Sequence, residues 1–348
     1  VPKIEATKAT RLRLRSRHHK TFLTGIAAFA ISLVALSCTE RERVAENEEE
    51  AVFMLVAGPV SEGDYNLAIT RADSILASPR EMSDSLRAYI MIERDNAISE
   101  YGHLDWGAAY ADTVIAFGKT HDVPLAVTQG LMNRGITHRR KGNYDKAISD
   151  YKSGMAMAVE AKDTEMEQTF ADMLAIACAE TNLNDEAMKF AQRSLELSQE
   201  AGDITGELNS ISTIGGILAK QGRHQEAIST LLPYHATASQ TKSLLRVKYL
   251  TPLLKSYLSL DSLDMVHKTL AETYEALDGV PRNTQAYLVA VNTEAELAAK
   301  EGRYADQWKW LLRADTIGGM GTSPEVLLGM RARCLANMGK FADAYEME

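Results

Sequence analysis

Cysteine is too scarce in this sequence to staple or cage a fold. Cys38, Cys178 and Cys334 form no CxxC pair and leave an odd thiol over, so neither a zinc site nor a disulfide framework is indicated. Cys178 and Cys334 fall on the apolar side of helical stretches and read as small buried fillers. Catalytic signatures are equally thin, because HExxH, GxxxxGK followed by Ser or Thr, GxSxG and GxGxxG are all missing. Ser239-Gln240-Thr241-Lys242 matches SxxK with no companion motif, and Gly318-Gly319-Met320-Gly321 follows a helical stretch rather than a strand, as a flexible link would. The eight histidines stand in the leader, in turns or singly on helices, none with a second ligand at a suitable spacing. No catalytic residue, metal site or cofactor site follows from these residues, and the expectation is a non-enzymatic protein.

Positive charge is also lacking beyond the first residues. The formal net charge is −9, but residues 1–37 hold seven basic groups and one acidic, leaving 31 basic and 46 acidic, a net −15, for the rest. Such a surface repels phosphate, so no direct nucleic-acid binding is expected of this segment. Arg139, Arg140 and Lys141 end a helical stretch, where exposed carbonyls favour cations.

An uncharged apolar run occurs once at membrane-relevant length, over residues 21–37, after a leader containing Arg11, Arg13, Arg15, Arg17 and Lys20. A basic leader, an apolar core and Leu36-Ser37 before Cys38 resemble a bacterial export signal. They further resemble a lipoprotein signal, which implies that Cys38 is lipidated, for example with palmitate. Ala35 departs from the usual Leu of that box. An uncleaved N-terminal membrane anchor is the other reading, although 17 residues is short for a span. The chain has no Met before Met54, so its start is expected to be a non-standard codon or to lie upstream. Residues 38–50, ending in Glu46, Glu48, Glu49 and Glu50, read as an acidic solvated tether.

From residue 51 a repeat dominates. Gly142-Asn143-Tyr144 precedes a run with Ala147, Ile148 and Tyr151 on one helix face. Gly63-Asp64-Tyr65 with Ala68, Gly222-Arg223-His224 with Ala227, Gly302-Arg303-Tyr304 before Gln307, and Gly339-Lys340-Phe341 with Ala344 repeat the figure. With Gly107, Ala187 and Val266 the anchors are 39, 40, 40, 40, 39, 41 and 37 residues apart. Twelve residues before the anchors stand Gly135, Ala175, Gly215, Ala295 and Ala332, with Asp95 and Leu254 breaking the rule. Asp122, Asp163 and Asp203 mark a third register and are placed to cap helices.

Small residues twelve apart, a Gly between them and an aromatic two residues after it resemble the tetratricopeptide repeat. Gly135, Gly142, Tyr144, Ala147 and Tyr151 match that family's eighth, fifteenth, seventeenth, twentieth and twenty-fourth places. The resemblance implies an all-α fold, a right-handed α-solenoid of about eight helix-turn-helix units over residues 51–348. The spacing near 40 exceeds the usual 34 and requires longer helices or longer links. Ala51–Ala57 reads as a first helix ended by Gly58-Pro59, Ser78-Pro79-Arg80-Glu81 as a capping box, Ser323-Pro324-Glu325 as another capped start, and Pro252 as a kink. Trp308 and Trp310 read as packing between repeats, and the last repeat as truncated, with more chain expected after Glu348.

In the family, ligands touch the second, fifth, sixth and ninth places of the first helices, on the concave face. Carried over, these are Gln129, Met132, Asn133 and Ile136, then Thr169, Asp172 and Met173, then Asn209 and Ser212, then Lys248, Thr251 and Lys255, then Asn292. Amides and hydroxyls suit a peptide backbone, and the set lacks the Lys and Asn pattern that clamps a C-terminal carboxylate. The resemblance thus implies an envelope-anchored scaffold whose partner is a protein or peptide, held at the membrane by a lipid anchor or N-terminal helix. The alternative is the extracytoplasmic sensory region of a membrane-spanning bacterial regulator whose output domain lies beyond residue 348.

Overall fold

Helices of 17 residues joined by three-residue links account for the period, since 17 and 3 make 20 and two such units make 40. In this computed structural model the described residues are 38–346 apart from 80, 102–103, 242, 281, 283–284 and 318–323. Residues 1–37, on which the expected export signal falls, lie outside them, as do Arg80, Lys242, Ser323 and Gly318–Gly321.

Among the described residues all regular structure is helical: α1 (Cys38–Glu62), α2 (Tyr65–Ala77), α3 (Asp84–Tyr101), α4 (Leu104–Thr120), α5 (Pro124–Arg140), α6 (Tyr144–Glu160), α7 (Thr164–Glu180), α8 (Asn184–Ala201), α9 (Ile204–Lys220), α10 (His224–Leu231), α11 (His235–Ser239), α12 (Ser243–Ser259), α13 (Leu263–Ala276), α14 (Gln285–Lys300), α15 (Tyr304–Ile317), α16 (Pro324–Asn337) and α17 (Phe341–Tyr345). No helix among them is long and apolar enough to cross a membrane.

The links share one geometry. The second residue of each is left-handed, and the N–H of the residue after it reaches back five residues: Asn143 to His138 (2.8 Å), Asp163 to Ala158 (2.9 Å), Leu183 to Cys178 (2.9 Å), Arg223 to Leu218 (2.9 Å). This is the Schellman closure, which satisfies carbonyls that a helix end leaves open. Gly142, Gly202, Gly222 and Gly302 supply the positive φ freely, whereas Asp122, Lys162, Asn182 and Asp261 adopt it at 53° to 60°.

Packing divides the chain at Asn143–Tyr144 into two units. In the first, α1 packs on α2 and α3, and α3 packs on α4 and α5. In the second, the first helices of successive pairs form a row, α7 on α9, α9 on α12 and α12 on α14, with α8, α10, α13 and α15 packed against them. All eight anchors are buried, from Ala68 to Ala344, as are the residues twelve before them. Cys178 and Cys334 are buried free thiols, and Trp308 and Trp310 pack against the cluster of Leu288, Val291 and Leu311.

Several local expectations need correction. The helix α1 does not begin at Ala51 or stop at Gly58-Pro59, but runs from Cys38 through Pro59, so residues 38–50 are its first half. Ser78 ends α2, with Oγ donating to the Ile75 carbonyl at 2.8 Å, and the cap of α3 is Ser83, which accepts from the Leu86 N–H at 3.1 Å. Asp122 occupies the left-handed place, so Val123 precedes α5, while Asp163 does cap α7 through the Met166 N–H at 3.2 Å. Asp203 stands at the start of α9 without a side-chain bond to it. Pro252 leaves α12 one continuous helix. The interruption falls at Pro233, where a turn of 3-10 helix follows α10 and the Tyr249 hydroxyl donates to the Leu231 carbonyl at 2.7 Å.

Candidate functional site

The row of first helices exposes one register of side chains, because residues seven apart return to the same face of a helix. On α5, Gln129, Met132 and Ile136 are half-buried. Asn133 is not, being 5 % exposed with its Nδ2 donating to Asp95 Oδ2 (3.1 Å) and Asn96 Oδ1 (2.9 Å), so its amide fastens α5 to α3. Asp95 is itself 1 % exposed, and burial pushes its carboxyl up to about 7 against the pull of Asn133 and Arg94. Burial likewise raises Glu93, with Asn96 opposing.

In the second unit the expected residues meet. Asp172 on α7 accepts from Thr213 Oγ1 on α9 (2.9 Å) and from Lys248 Nζ on α12 (3.5 Å), and Lys248 Nζ also donates to Asn209 Oδ1 (3.2 Å). A polar ladder therefore crosses three successive first helices. Thr213 was missed from sequence although it holds the same place as Asn133; only contact across 41 residues reveals it. Three hydroxyls contribute less than expected, since Thr169, Ser212 and Thr251 donate to their own helices at the Glu165, Leu208 and Val247 carbonyls. Met173 and Asn292 are half-buried and Lys255 is exposed.

Among the described residues three histidines lie beside carboxylates that sequence spacing did not show: His121 Nε2 is 4.0 Å from Asp84, His235 Nε2 3.2 Å from Glu272 and His267 Nε2 2.7 Å from Glu301. Among the described residues no cluster of three or more His, Cys, Asp or Glu could hold a metal. Ser239 Oγ donates to the His235 carbonyl, as a helical serine does.

Comparison with solved structures decides the architecture. A Rap protein complexed with competence and sporulation factor superposes with a TM-score of 0.62 at 14% identity, over 86% of each chain. NprR in complex with its cognate peptide NprX gives 0.59 at 12%, over 87% of this chain and 89% of that one. A tetratricopeptide repeat protein from Parabacteroides merdae gives 0.57 at 12%, over 83% and 99%. The chain has a tetratricopeptide-like fold. No family model matches the sequence, and no curated protein does. A tetratricopeptide-like hairpin asks for only a few small residues and one turn glycine per unit, so the rest of its sequence can diverge while the packing persists.

Proposed function

We propose that this chain is a non-catalytic scaffold that holds a peptide, or an extended segment of a protein, on the row α7, α9 and α12. The observation that carries the reading is the ladder Asp172, Thr213, Asn209 and Lys248, whose opposite charges offset each other and leave the Asn209 amide at a half-buried face, with the buried Thr213 hydroxyl bonded inside it. Main-chain amides are uncharged and dipolar, and such a face complements them. NprR, similar in fold, was solved with a cognate peptide, which supports the same reading.

The export signal and Cys38 further support anchoring in the cell envelope, by lipid on Cys38 or by residues 21–37. A sensory role as part of a membrane-spanning regulator is the second reading; its sensing part is supported by likeness in fold to the apo form of the same NprR, a quorum sensor, at a TM-score of 0.54. The test is a pull-down with the full chain and a variant combining Asp172→Ala, Asn209→Ala and Lys248→Ala. Loss of the captured partner with unchanged far-UV circular dichroism is expected; equal capture by both would reject the scaffold. Palmitate labelling that disappears in Cys38→Ser is the expected sign of the lipid anchor.

A further inference from the structure

Glycine is the poorest helix former after proline, so a glycine inside a helix calls for a reason. Most here have one. A Cβ on Gly215 would stand 2.7 Å from the Leu231 side chain, and one on Gly154 would stand 2.1 Å from the Phe170 ring. Gly58, Gly216 and Gly329 have none of this kind, since nothing stands within 4 Å of a Cβ built on any of them; of the three, Gly216 alone lies on a helix of the ladder, in the last two turns of α9 at ordinary helical φ and half-exposed. No packing inside the chain demands the missing side chain.

Its position supplies a reason. Gly216 follows Asn209 by seven residues and Thr213 by three, so it continues the stripe that carries the ladder. It occupies the ninth place of its repeat, the place held by Ile176 on α7 and Lys255 on α12. The gap is therefore a bare stretch of helix backbone between two substantial side chains, one turn beyond a polar ladder. Asn209 has its Oδ1 held by Lys248, and among the described residues its Nδ2 donates to no partner, which leaves two N–H groups for a carbonyl.

We propose that Gly216 is the specificity-determining position of the peptide site, where the main chain of an extended ligand lies directly against α9 while a ligand carbonyl accepts from Asn209. The inference rests on the peptide-binding reading above. The ligand is a peptide bound by its backbone, with a small residue over Gly216. A bulky residue would be held off the helix, and a charged one would disturb the Asp172–Lys248 pair without gaining an opposite charge.

The experiment pans a library of random short peptides against the full chain and measures the recovered sequences, fluorescently labelled, by anisotropy. Gly216→Ala should melt no lower than wild type, since alanine fills open space in a helix, yet bind at least about tenfold more weakly. Gly216→Leu should bind more weakly still, while Gly58→Ala, an equally open helical glycine on α1, should bind as wild type does. Recovered peptides should share a small residue at one position. Equal binding by wild type and Gly216→Leu, with loss in Asn209→Ala, overturns the inference and leaves the peptide reading standing. No enrichment of peptides over background overturns both. Self-association of the chain that Gly216→Leu abolishes assigns the gap to a second copy and likewise overturns the peptide.

Discussion

Asp95 sits where other repeats carry Gly, Ala, Val or Leu against a neighbouring helix, and this has a measurable cost. Its carboxyl titrates near 7 in the fold and near the ordinary 3.8 in the unfolded chain, because burial disfavours the ion. Between those values the folded state holds more protons. Its contribution is therefore fully present below about pH 4 and is lost as pH rises through about 7, a swing on the order of 4 kcal/mol. Asp95→Asn keeps an oxygen for Asn133 and removes the charge, so it should stabilise the protein at pH 8 and flatten the pH dependence of urea unfolding. At Gly154 the sign is opposite. Alanine there would collide with Phe170, which is fully buried and cannot swing away, so Gly154→Ala should cost about 1–3 kcal/mol in thermal or urea denaturation.

At the scale of the element, the links explain which parts of the fold were legible before coordinates and which were not. Where glycine carries the left-handed residue, as at Gly142, Gly222, Gly302 and Gly339, the sequence displays the turn and the 40-residue period follows. Asp122, Lys162, Asn182 and Asp261 perform the same task without advertising it, and so the 20-residue regularity of single helices stayed hidden. Lys162 is the most strained of these chemically, since Asp and Asn tolerate the left-handed region better than a long side chain does. Lys162→Gly should stabilise the protein by about 1 kcal/mol, and Asn182→Gly by less, in parallel urea titrations. The site was legible to a similar degree. Asp172, Asn209 and Lys248 follow from register alone, but register could not show that Asn133 is consumed by Asp95 and Asn96, or that Thr169, Ser212 and Thr251 bond to their own helices. Register states which face a residue occupies, and hydrogen bonding decides what that residue still has to offer.

Across the molecule, every helix end poses the same electrostatic problem, because four carbonyls remain open there. The chain meets it partly with cations from the following repeat: Arg140 donates to the Ser99 carbonyl at the end of α3, and Lys220 to the Ala179 carbonyl at the end of α7. Lys300 reaches the Asp261 carboxylate in the link after α12 by the same offset of about one repeat. Such bonds join adjacent repeats, and apart from the Asp172–Lys248 pair, which reaches across two repeats, the second unit is built in the same way, so stability in a repeat array is mainly a sum of local and nearest-neighbour contributions. In the second unit the argument can be tested with Phe170→Ala, which empties a fully buried site facing Gly154 on α6 and should remove about 3–5 kcal/mol. Because α7 packs against α6, α8 and α9, the loss should be confined. Hydrogen exchange should accelerate in α6, α7 and their immediate neighbours α8 and α9, while α14–α16 retain their protection. Acceleration of equal size along the whole unit would show instead that it opens as one cooperative body, and that the helix row is held together by something beyond pairs of adjacent repeats.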